Sequence, residues 1–174
     1  NLNGTSIRVT ERDSAGALVQ TLTVESDPGA DELNDPSVTI AANGDWLIAF
    51  NRTDDVSGTV TAYTRLYDDS AGAFTAPAAS VLASSNSTTT GTTQNNSVTA
   101  LTDGSYVLVT PRAFGSDDII GRKIDAAGNT PGGFFTISVG GTTSTQPDVV
   151  ALNGGGFAVA WQQLDATDTD AFFR

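Results

Sequence analysis

The sequence predicts an all-β chain built from four-stranded antiparallel meanders, and three observations carry that prediction. A glycine-ended turn recurs as Asp13-Ser-Ala-Gly16, Asp69-Ser-Ala-Gly72 and Asp125-Ala-Ala-Gly128, with the glycines 56 residues apart. A second turn alternates with it, as Ala42-Asn-Gly-Asp45, Thr102-Asp-Gly-Ser105 and Asn153-Gly-Gly-Gly156. No segment sustains an apolar period of 3.6, and residues 28–34 have room for one helical turn at most.

Each turn has a mechanism. An Asp that opens a turn accepts from its own downstream backbone, and Gly supplies the positive φ that a three-residue hairpin with a G1 bulge needs. Asn-Gly or Asp-Gly between apolar alternations is the strongest short-range hairpin signal. Labelling the strands a to d within a unit, strand a is expected at residues 37–41, 97–101 and 148–152. Strand b is led by an aromatic residue, at 46–50, 106–110 and 157–161, so that Trp46, Tyr106 and Phe157 are equivalent. Strand c is expected at 7–12, 62–67 and 119–124, and strand d at 21–24, 80–83 and 135–139. The unbroken apolar runs Trp46–Phe50 and Phe157–Trp161 suit central strands covered on both faces. The connections from d to the next a are polar, and the middle one is the low-complexity run SSNSTTTGTTQ.

The units are approximately 1–33 (a half unit), 34–94, 95–146 and 147–174, within one repeat domain. Residues 170–174 align with 118–122 through a shared Asp-x-x-x-Arg spacing, so the chain runs from one strand c to another. Four-stranded units of this length with turn punctuation are the signature of β-propeller blades. A ring takes about four to eight blades. The expectation is therefore a propeller-like array of about three units, open or completed by another chain, with a β-sandwich or stacked sheets as the alternative architecture. Two copies would supply about six blades, although the duplicated strand c fits that ring imperfectly.

Composition narrows the chemistry. The formal net charge is −12, which argues against nucleic acid and anionic membrane surfaces, and no apolar run is long enough for a membrane span. There is no Cys, His or Met. A Ser-His-Asp triad and thiolate chemistry are excluded within this chain. The missing Met implies that Asn1 is not a translational start, so the chain is processed or cut from something longer. Thr, Ser, Gly, Asn and Asp dominate and Lys is nearly absent, which suits an extracellular or cell-surface bacterial protein.

The strings TQPDVVALNGGGFAVAWQ and DIIGRKIDAAGNTPGGFFTIS resemble repeats of very large secreted bacterial proteins, of the type I secretion and RTX-adhesin kind. The resemblance covers nearly the whole chain and is strongest in the last unit. Thr110 stands where that pattern has Trp, and no calcium nonapeptide is present. The resemblance implies secretion and a surface location, with no defined activity.

The loops between strands b and c are acidic at equivalent places. Asp165, Asp168 and Asp170 form the densest group; Asp54 and Asp55, and Asp117 and Asp118, are the others. Closely spaced carboxylates with loop carbonyls supply the oxygen ligands that Ca²⁺ takes, and the bland reading is a solvated loop whose Asp residues cap turns. Carboxylate pairs for glycoside hydrolysis cannot be chosen from sequence, because twenty acids always offer some pair. Arg65, Arg122 and Arg174 recur at one strand-c position and are expected to pair with a nearby Asp. Trp46, Tyr106, Phe157 and Trp161 are expected in the core between units rather than stacked on sugars. Taken together, the sequence predicts a non-enzymatic structural or adhesive repeat module of a secreted or surface protein, self-associating or continued by further repeats. A carbohydrate- or calcium-binding module is the alternative.

Overall fold

The computed structural model describes residues 4–75, 79–84, 95–114, 116–138, 143–164 and 169–173. Every regular element among them is a β-strand. Strands β1 (Thr5–Arg12) and β2 (Leu18–Asp27) form a two-stranded antiparallel sheet. A second sheet runs β3 (Glu32–Ile40), β4 (Trp46–Thr53), β5 (Val60–Asp68), β6 (Ala73–Phe74), and β7 (Ala79–Ser84) also pairs with β5. The third runs β8 (Ser97–Ala100), β9 (Tyr106–Phe114), β10 (Ser116–Ile124), β11 (Phe135–Thr136), and the fourth runs β12 (Ser144–Ala151), β13 (Phe157–Leu164), β14 (Thr169–Phe173). All pairings are antiparallel, as the meander reading requires.

Both kinds of turn close as expected. Gly16 N–H donates to the Asp13 carbonyl and Asp13 Oδ1 accepts from the amides of Ala15 and Ala17, while Gly16 takes φ 82°. Asp125 repeats this with Ala127 and Asn129. In the middle copy the Gly72 amide still donates to the Asp69 carbonyl at 3.3 Å, but the capping side chain is that of Asp68, accepting from the Ser70 hydroxyl and the Ala71 amide. Strand d is more broken than its alternation suggests. In the third sheet β11 stops after two residues, and the amides of Ile137 and Ser138 converge on the Ile119 carbonyl. Val139 lies outside the described residues, as does most of the low-complexity run.

The sheets stack face to face because their central strands are apolar on both sides. Trp46, Ile48 and Phe50 of β4 pack with Ile7 and Val24 of the first sheet. Leu47 and Ala49, on the other face of β4, pack with Val98, Tyr106 and Leu108 of the third. Val107 and Val109 continue the stack to Val149, Val159 and Trp161. β13 is the exception to the two-faced expectation. Val159 and Trp161 are buried, but Ala160 on its other face is exposed, because no further sheet covers that side among the described residues.

The a strands, β3, β8 and β12, pack side by side and are stitched to one another by hydroxyl groups. Ser37 Oγ accepts from the Val98 amide at 3.2 Å and Thr39 Oγ1 from the Ala100 amide at 3.1 Å. One sheet further on, Ser97 Oγ accepts from the Val149 amide at 3.1 Å and Thr99 Oγ1 from the Ala151 amide at 3.2 Å. The Ser-x-Thr of β3 and that of β8 thus satisfy the edge N–H groups of the strand that follows, which would otherwise be orphaned on burial. Replacing Thr39 by Val keeps the shape and removes the acceptor for the Ala100 amide. The expected cost is about 1–3 kcal/mol of unfolding free energy, measured by urea unfolding.

Four turn carboxylates, Asp54, Asp68, Asp103 and Asp125, sit below the usual carboxylate range, chiefly through hydrogen bonds donated by Ser57, Ser70, Ser105 and Asn129 respectively. A folded-state pKa below the unfolded one contributes stability that is present above the unfolded pKa and is lost as pH falls through the folded one. Thermal midpoints should therefore drop steeply below about pH 4, and Asp125→Asn should make that acid limb shallower.

Candidate functional site

The strands β3, β8 and β12 run side by side, and a polar cleft of about 460 Å³ among them is lined by residues 35–37, 95–97 and 147–148. These are equivalent stretches: Asp35-Pro-Ser37, Asn95-Asn-Ser97 and Gln146-Pro-Asp148. A bulge opens the first and the third. The ladder between β3 and β4 skips between Asn34 and Ser37, and that between β12 and β13 skips between Thr145 and Asp148. In both, the residue before proline takes a left-handed conformation, Asp35 at φ 51° and Gln146 at φ 50°. Such a conformation in a non-glycine residue costs of order 1–3 kcal/mol. Its recurrence at equivalent positions ties it to the bulge, which takes these residues out of the ladder and leaves Asp35, Pro147 and Asp148 lining the cleft.

Asp35 is held by a buried amide relay. Asn51, only 1% exposed in the middle of β4, donates through Nδ2 to Asp35 Oδ2 at 3.2 Å. Asn96 donates through Nδ2 to Asn51 Oδ1 at 2.9 Å and to the Asp35 carbonyl at 3.4 Å. Asn96 is itself 7% exposed, and its Oδ1 is buried with no partner among the described residues. Burial pushes the Asp35 carboxyl above its ordinary value, with the Asn51 hydrogen bond opposing and Glu32 adding a smaller upward push. Asp148 comes from the fourth sheet. It accepts at 3.0 Å from the Ser97 hydroxyl, the same group that caps the Val149 amide. Two carboxyl groups from different sheets therefore face one polar cleft, one of them disfavoured from ionising.

Among the described residues, none of the acids expected from the sequence to bind calcium lines this cleft. Asp165 and Asp168 lie outside the described residues, and Asp170 is placed only as a backbone position in β14, opposite Gln163. Asp54 accepts from the amides of Val56 and Ser57 and from the Ser57 hydroxyl. The Asp55 amide donates to Asp31, whose carboxylate also pairs with Arg52 at 2.7 Å. Asp117 and Asp118 sit in β10 opposite Ala113 and Arg112. Among the described residues no three acids gather where a metal ion could be held.

The aromatic expectation holds for Trp46, Tyr106 and Trp161, which are buried, and Phe157 packs on Phe135 with ring centroids 5.8 Å apart. Arg65 donates to the Val24 carbonyl, pairs with Glu25 at 3.6 Å and lies over the Phe74 ring, so it ties the first two sheets together. Arg122 donates to the carbonyls of Thr130 and Gly132 in its own c–d turn. Arg174 lies outside the described residues.

No protein-family model matches the chain, and no curated protein matches it. Among solved structures it is similar to a thermostable family-43 glycoside hydrolase, at 13% identity and a TM-score of 0.49, over 97% of this chain and 67% of that one. That neighbour is an enzyme, and two expectations are corrected with it: that the chain is a non-enzymatic structural or adhesive module, and that it is not an enzyme. Missing His and Cys are no evidence against catalysis. Their absence excludes imidazole and thiol chemistry only, and hydrolysis by a pair of carboxyl groups needs neither. At this identity and TM-score the likeness transfers no activity to this chain.

The raised Asp35 carboxyl has a measurable consequence. A folded-state pKa above the unfolded value makes the ionised group a liability, and stability is gained as pH falls through the folded pKa. Asp35→Asn should melt higher than the parent chain at pH 7, with the difference closing as pH is lowered toward about 4 in thermal scans by circular dichroism.

Proposed function

We propose that the cleft binds a carbohydrate and hydrolyses a glycosidic bond, with Asp35 and Asp148 as its carboxyl pair. The reading rests on one observation: carboxyl groups from two sheets line one polar cleft, and burial disfavours the ionised form of one of them. In that arrangement Asp35 retains its proton at higher pH than a free carboxyl and donates it to the leaving oxygen. Asp148, which accepts a hydrogen bond from the Ser97 hydroxyl, acts on the opposite side of the sugar as base or nucleophile. Asn95 lines the same cleft, and its amide suits the hydroxyl groups of a sugar. We further propose that the stacked sheets are blades of a propeller, with β3, β8 and β12 nearest its axis.

The test is turnover of a panel of aryl glycosides of pentoses and hexoses. Asp35→Asn and Asp148→Asn should each lower kcat by about 10²–10⁴-fold while the circular dichroism spectrum is unchanged. The parent enzyme should show a bell-shaped pH profile whose upper limb is lost with Asp35→Asn. A parent chain that turns over none of the panel, and whose melting is unmoved by oligosaccharides, would refute the reading.

A further inference from the structure

We propose that the free edge of β3 is a docking site for the a–b hairpin of another unit of this repeat, one whose strand a carries Ser-x-Thr. The inference is independent of the hydrolytic reading.

Three positions that are equivalent in sequence meet different fates. Val98 and Val149 are 6% and 7% exposed, each covered by the preceding sheet, whereas Val38 is 49% exposed. Ile40, equivalent to the half-buried Ala100 and Ala151, is 59% exposed. The backbone tells the same story. The Ala41 amide donates to the Asp45 carbonyl, and counting back from that bond along β3 turns the Val38 and Ile40 amides away from β4. Their counterparts at Val98, Ala100, Val149 and Ala151 each meet a Ser or Thr hydroxyl. Val38 and Ile40 meet none among the described residues. The β1–β2 hairpin covers only the outer part of this face, where Thr5 Oγ1 accepts from the Leu33 amide at 2.9 Å. The surface left over is an apolar pair with two outward N–H groups, the same surface that the interior interfaces bury.

The chemistry of the cap selects the occupant. A second copy presenting β12 would bring Asp148 and Val150 to the capping positions, and Val150 cannot accept a hydrogen bond. A second copy presenting β3 in a two-fold pair would meet this edge with its own Val38 and Ile40, because its Ser37 and Thr39 hydroxyls face β8. The β8–β9 hairpin, residues 95–114, has the required form: Ser97 and Thr99 on strand a and an aromatic-led partner strand.

The experiment adds a copy of residues 95–114 ahead of residue 1, so that strands a and b precede the existing β1–β2 hairpin. Amide hydrogen exchange is followed by NMR. In the parent chain Val98, Ala100, Val149 and Ala151 should be protected, and Val38 and Ile40 should exchange about tenfold faster or more. The added hairpin should protect Val38 and Ile40, and a version with Ser→Ala and Thr→Val in the added copy alone should lose that protection. The Val149 and Ala151 amides report whether the extended chain has folded. The same hairpin titrated into the parent chain as a synthetic peptide gives the second reading should it not fold. Unchanged exchange at Val38 and Ile40 in both arrangements would overturn the proposal, as would equal protection by the hydroxyl-free version. Protection already present in a parent chain that sediments as a dimer would overturn it in favour of a second copy.

Discussion

The structure depends on a side chain answering for a neighbour's backbone. The strands β3, β8 and β12 each turn one row of amides away from their own ladder, and among the described residues no adjacent strand pairs with them there. Ser37 and Thr39 receive those of β8, and Ser97 and Thr99 those of β12. Apolar contact brings the sheets together, but it is non-directional and tolerates sliding. The hydroxyl caps set the offset between one a strand and the next, because a one-residue slip would present Val in place of Ser or Thr. They also give the array a direction, since each unit holds the acceptors for the unit that follows it.

That offset builds the cleft. With the a strands aligned, the bulges at Asp35 and Gln146 and the turn into Ser97 arrive at one end of the array. Asn51 and Asn96 then link two sheets to the Asp35 carboxyl through buried amides. Such a relay is stable only when each member is paired, and the buried Asn96 Oδ1 is the one atom of it left without a protein partner among the described residues. The site and the scaffold thus share atoms. Ser97 Oγ accepts from the Val149 amide and passes its own proton toward Asp148.

Much of the fold was legible because the turns carry their own chemistry. Asp13, Gly16, Asp125 and Gly128 do what their types predict, and the alternation between turn kinds sets strand order. What sequence could not supply was partnership at a distance. Asp68 and Asp69 are adjacent acids, and only the bend of the chain selects Asp68 as the cap. The cleft was missed for a related reason. Twenty acids dilute any pair chosen by composition. A usable signal existed in the alignment of Asp35-Pro-Ser with Asn95-Asn-Ser and Gln146-Pro-Asp, which places polar residues at one end of every a strand.

The departure of the third unit from Ser-x-Thr has a meaning of its own. Asp148 occupies the place of Ser37 and Ser97, and Val150 that of Thr39 and Thr99. A chain with internal copies carries its own control experiment: the same backbone position appears twice under structural duty and once relieved of it among the described residues. Where the duty lapses, the residue type changes from a neutral hydroxyl to a charged carboxylate, and that carboxylate lines the cleft. Divergence between copies, rather than their likeness, is then the guide to chemistry in a repetitive protein. The scaffold is written in what the units share, and the site in the position at which one of them stops agreeing.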